Sequence, residues 1–143
     1  MLTFKKTAAV LLATGALVAL GAAPSNAAPA PHPITCGWDQ GQGTPWSASG
    51  TTVTGFVRVK CSDSLDDANT RAQLQIFRDG DWYAHGAGVT SYSTATVIQV
   101  NDSATKRTST WYYRTVGTHF GQHGNVWTLP TYYSPSRALT GVS

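Results

Sequence analysis

Between Thr51 and Cys61 the chain alternates. Val53, Gly55, Val57, Val59 and Cys61 fall on one side of an extended backbone, and Thr52, Thr54, Phe56, Arg58 and Lys60 on the other. A period of two marks a half-buried strand, here ending in a buried sulfur. Arg71–Phe77 repeats the pattern with Ala72, Leu74 and Ile76 inward. Arg78-Asp79-Gly80-Asp81 follows, and Asp-Gly between two strand-like runs predicts a tight hairpin. Trp82–His85 is then the return strand, and Gly86–Gly88 interrupts it. Ser91–Val100 is rich in β-branched residues and predicts a further strand, with Asn101–Ala104 as a turn. Thr108–Val116 sets Trp111, Tyr113 and Thr115 on one face and Thr110, Tyr112, Arg114 and Val116 on the other. Val126–Leu129 and Tyr132-Tyr133 predict a last strand, bent at Pro130.

The gaps between these runs carry breakers. Asp39–Gly50 is a Gly/Ser/Pro loop, Ser62–Asn69 an acidic polar connection, and Gly117–Asn125 a Gly-rich loop. Nothing after the N-terminal segment repeats apolar residues at the helical period. About seven short strands with turn residues between them predict an all-β fold. The expected architecture is a small β-sandwich, immunoglobulin-like or jelly-roll-like, over residues 34–133, with residues 134–143 as a C-terminal tail.

The N-terminal segment has a different pattern. Met1–Lys6 carries Lys5 and Lys6, Thr7–Leu20 is uncharged and mostly apolar, and Gly21–Ala28 is small with Pro24. A positive end, an apolar run and a small-residue exit are the three parts of a secretory signal peptide. The run falls short of the ~18 residues that span a bilayer. Ser25-Asn26-Ala27 offers small side chains three and one before a cut, so residues 1–27 are read as the signal. Residues 28–33 (APAPHP) are read as a flexible Pro/Ala-rich arm. The mature chain is expected to be extracellular and monomeric, with no membrane contact after cleavage.

Export changes the reading of the cysteines and of the charge. Cys36 and Cys61 are the only two, and an even pair in an exported chain predicts a disulfide. Closing a loop of that length contributes roughly 3–4 kcal/mol in the chain-entropy account. The whole chain has 10 Lys+Arg and 7 acids, all Asp. Without Lys5 and Lys6 the net charge falls to +1, and the remaining cations are scattered. A nucleic-acid footprint needs a basic stripe, so nucleic acid is not an expected partner.

Candidate chemistry is sparse. His119 and His123 stand four apart, the spacing that shares a zinc on a helix. The surrounding glycines predict a loop, and the Glu of the H-E-x-x-H motif is missing, so the pair is a weak metal candidate and no cofactor is expected. A nucleophile elbow of the G-x-S-x-G kind is not found. Six of the Asp, Asp63, Asp66, Asp67, Asp79, Asp81 and Asp102, fall in predicted turns, where water keeps them ionised. The expectation is therefore a domain without enzymatic activity, with a hydrolase using the loop histidines as an alternative.

Aromatic residues are the remaining signal. Five Trp and six Tyr sit among Ser, Thr, Asn and Gln. Many must build the core, since large rings suit strands. Yet the neighbours in Tyr112-Tyr113 and Tyr132-Tyr133 must point to opposite faces, so one of each pair tends outward. Tyr112, Tyr113, Tyr132, Tyr133, Trp46 and Trp82 are the candidate contacts. Exposed rings flanked by amides and hydroxyls suit an extracellular glycan or cell-wall polymer. A protein-directed factor, a protease inhibitor or antagonistic toxin presenting Gln40–Ser47, is the alternative partner reading.

Overall fold

The computed structural model describes residues 32–39 and 43–142. The expected signal over 1–27, residues 28–31 of the expected arm and the tip of the expected inhibitor loop at 40–42 lie outside the described residues. The fold is all-β, with two antiparallel sheets and one disulfide. Among the described residues no helix is long and apolar enough to cross a membrane.

The smaller sheet is centred on β3 (Thr52–Cys61). One edge of β3 pairs with β7 (Val97–Thr105). The other takes β2 (Trp46–Ser47) near its start and β1 (Cys36–Trp38) near its end. The larger sheet is centred on two long strands, β4 (Asp67–Arg78) and β8 (Ser109–His123). The free edge of β4 takes β5 (Asp81–Ala84) and β6 (Val89–Ser91). The free edge of β8 takes β11 (Arg137–Gly141), β10 (Tyr132–Tyr133) and β9 (Asn125–Thr128) in succession.

The alternation seen in the sequence puts the core between the sheets. Val57, Val59, Ala72, Ile98 and Val100 form one buried cluster, ringed by Trp38, Trp127 and the disulfide. Val53, Leu74, Ile76, Tyr113 and Leu139 form the second. Cys36 and Cys61 are direct cross-strand partners and are joined, so the disulfide staples the short β1 to the central β3. The Asp79-Gly80 hairpin is also present. Arg78 faces Asp81, and both turn residues have positive φ, 52° and 85°. That is the twist a two-residue turn between right-twisted strands needs, and Gly80 meets it without a Cβ penalty.

Several segments differ from expectation. Ser91–Val100 is not one strand: β6 ends at Ser91 in the larger sheet and β7 begins at Val97 in the smaller, and the expected loop over 39–50 contains β2. Gly117–Asn125 is not a loop: β8 runs through to His123, and the hairpin turns at Gly124. The glycines there give space and not flexibility. A Cβ on Gly117 would lie 2.8 Å from Val57 and 2.9 Å from Trp38, and one on Gly121 would lie 3.0 Å from Trp127. Asn101–Ala104 is not a turn but the second half of β7, because Asp102 continues the inward series of Ile98 and Val100. The Asp102 carboxylate is buried, not in water, and accepts the N–H groups of Leu74 (2.7 Å) and Gly88 (3.2 Å). Those bonds supply the partners that a buried carboxylate requires. The end of the acidic connection, from Asp67, is already strand β4, paired with Gln122. The C-terminal segment expected as a tail forms β11, which buries Leu139 against the second cluster.

Candidate functional site

The outward positions of β4 and β8 form one face of the larger sheet. Strand alternation puts Tyr112, Arg114, Val116, Thr118 and Phe120 on it from β8, and Asn69, Arg71, Gln73 and Gln75 from β4. Arg114 lies opposite Gln75 and its Nε donates to Gln75 Oε1 at 2.8 Å. Its guanidinium carbon is 4.3 Å from the ring centre of Trp82 and 4.6 Å from that of Tyr133. The cation is thus held between an indole on one edge strand and a phenol on the other. Burial between the rings draws the Arg114 pKa down, with Tyr133 and Asp81 acting the other way. An arginine remains a cation there. Phe77 extends the row, its ring 5.2 Å from Trp82. Tyr133 is 54% and Tyr112 55% exposed.

Further along the same face the surface becomes a polar groove. Asn69, Thr118, Phe120, Thr128 and Thr131 line a depression of about 430 Å³, together with His119 and Leu129. From Arg114 to Phe120 the face runs about 20 Å at the rise of an extended strand. By register it runs from the rings and the Arg114–Gln75 pair, through Val116–Gln73 and Thr118–Arg71, to Phe120–Asn69.

The expected contact residues divide between faces. Tyr113 is fully buried, and its hydroxyl accepts the Arg107 N–H at 3.0 Å, so it offers nothing to a ligand. Tyr132 is half-buried against the core and stacks on Trp38 at 5.5 Å. Burial pushes its phenol pKa up. Trp46 lies on the other sheet, edge-on to Phe56 at 5.9 Å, and cannot join Trp82 in one site. Tyr112, Tyr133 and Trp82 do share a face. Sequence reading missed Arg114 and Gln75 as members. The outward alternation of Arg114 with Tyr112 was visible, but the ring partners across two edge strands were not.

The histidines do not form the expected pair. On a strand, positions four apart are separated by about 13 Å, too far to share one ion. His119 is buried, and its Nδ1 lies 2.8 Å from Thr70 Oγ1, its cross-strand partner. Burial lowers its pKa. His123 lies at the far end of β8. Its Nδ1 is 3.7 Å from Asp66 Oδ1, and its ring is 5.1 Å from that of His32. His32 in turn pairs with Asp63 at 2.9 Å. Asp63 is held below the usual carboxylate range by the Ser64 N–H first and His32 second. His85 Nε2 donates to the Thr105 carbonyl at 2.6 Å.

No protein-family model matches the chain, and no curated protein matches it in sequence.

Proposed function

We propose that this is an exported, non-enzymatic binding domain that takes an extracellular glycan or cell-wall polymer on the outer face of its larger sheet. One observation carries the reading: Arg114 clamped between Trp82 and Tyr133, with Phe77 beside them and Gln75 beneath. Rings held in place before binding lose little rotamer freedom when a ligand stacks on them. The flat apolar faces of sugar rings suit such a row, and the amides and hydroxyls beyond it suit sugar hydroxyl groups. The N-terminal export pattern and the disulfide support an extracellular setting.

The test is binding of the mature protein to chitin, cellulose and isolated cell-wall polysaccharide, measured by depletion from solution. Trp82→Ala and Tyr133→Ala should each weaken binding roughly 5- to 150-fold, the effect of removing a contact hot spot. The His32→Gln/His123→Gln double variant should bind as the parent does. Loss of binding in the histidine variant with retention in both ring variants would move the site to the histidine end of the molecule.

A further inference from the structure

The disulfide has an unusual neighbour. Cys36 Sγ, Cys61 Sγ and a ring nitrogen of His119 all lie within 4.8 Å of one another. His119 is 3% exposed, and its Nε2 is buried with no hydrogen-bond partner among the described residues. The other nitrogen, Nδ1, is taken by Thr70 Oγ1. A neutral imidazole has one N–H and one lone pair. An N–H at Nε2 would be a buried donor without an acceptor, a costly arrangement. The favoured tautomer therefore has Nδ1–H donating to Thr70, which leaves the bare lone pair at Nε2 as the ring's free donor. Two sulfurs and an imidazole lone pair, fixed by a hydrogen bond on the far ring nitrogen, form a soft-metal donor set with its outer support in place.

We propose that, when the Cys36–Cys61 bond is reduced, the two thiolates and His119 Nε2 bind a single zinc-like ion, which then staples β1 to β3 in place of the disulfide. A dithiol supplies the reduction. It gives two electrons and two protons to the S–S bond, which opens to two thiols, and the dithiol closes to its own cyclic disulfide. The ion then displaces both thiol protons to solvent as two metal–sulfur bonds form. His119 contributes its lone pair with no proton to lose, and the ion keeps its oxidation state. Ligand atoms around zinc stand about 3.3–3.8 Å apart at ordinary bond lengths. Once the bond is open, rotations of the two cysteine side chains part the sulfurs to about 3.8 Å and bring the ring nitrogen in from its present distance of up to 4.8 Å. A fourth position stays open to water or another ligand.

The inference does not rest on the glycan reading, although His119 also lines the depression at the far end of that face. The experiment reduces the mature protein with excess dithiol, removes the dithiol without oxygen, and titrates Co²⁺ as a coloured substitute for zinc. The parent should take up one equivalent, with thiolate-to-cobalt charge transfer and tetrahedral d–d bands, and Zn²⁺ should bleach both. Zn²⁺ should also raise the melting temperature of the reduced protein and leave that of the oxidised protein unchanged. The Cys36→Ser/Cys61→Ser variant should bind no cobalt. His119→Gln, checked for its fold by circular dichroism in the oxidised state, should bind at least about tenfold more weakly with displaced d–d bands. Thr70→Val should weaken binding by about tenfold, as loss of a ligand's outer hydrogen bond does. Absence of stoichiometric cobalt uptake by the parent overturns the proposal. So does identical binding by the parent and His119→Gln, which is also the outcome if the reduced chain unfolds.

Discussion

Tyr112 and Tyr113 are adjacent in sequence and opposite in role. The first is 55% exposed and the second fully buried, as the pleat of a strand requires of neighbours. Tyr113→Phe leaves the Arg107 N–H without its partner. It should cost about 1–2 kcal/mol, read as a lower denaturation midpoint. Tyr112→Phe should stay within about 0.5 kcal/mol of the parent. His119 gives stability a pH dependence. Burial sets its folded pKa below the ordinary 6.5. Above that value the ring is neutral in both states and the contribution is fully present. As pH falls through it, the unfolded chain takes up a proton that the folded chain resists, so stability declines. Melting temperature should therefore fall from pH 7.5 towards pH 5, and His119→Gln should flatten that part of the slope. The sequence announced that one tyrosine of each pair would tend outward. Which one followed only from the register of the partner strands.

At the scale of elements, legibility depended on whether local chemistry and tertiary environment agree. For β3, the Arg71–Phe77 part of β4 and the Asp79-Gly80 turn they agree, and alternation with turn residues was sufficient. For the second half of β8 they conflict. Gly117 and Gly121 resemble loop residues, yet they clear room for Trp38 and Trp127 from distant segments. Asp102 resembles a turn residue, yet it faces inward because backbone donors of Leu74 and Gly88 await it. Gly117→Ala tests the first case. A flexible loop would tolerate the methyl group, whereas overpacking against Val57 and Trp38 should cost about 1–3 kcal/mol, measured by chemical denaturation. The edge strand β11 was invisible for another reason. Only Leu139 and Gly141 turn inward there, too few to announce a strand until β8 is present to pair with it.

Across the whole molecule the side chains of interest fall into two groupings, which meet at His119. The interior between the sheets holds the disulfide, His119 and the paired carboxylate Asp102. The outside of the larger sheet holds the ring row and the polar groove. Neither grouping is local in sequence. Trp82, Arg114 and Tyr133 come from three strands, and only the hairpin after β4 and the return of the chain along β8 align them. Aromatic composition pointed to exposed rings, but grouping Trp82, Arg114 and Tyr133 on one face needed the sheet order. Trp46 supplies the internal control, being a half-buried tryptophan on the other sheet. The most direct measurement compares polysaccharide affinity in Tyr133→Ala and Trp46→Ala, with circular dichroism confirming that both variants are folded. The account predicts a fall of roughly 5- to 150-fold for Tyr133→Ala and parental affinity for Trp46→Ala; equal affinity in the two variants, or a loss confined to Trp46→Ala, would contradict it.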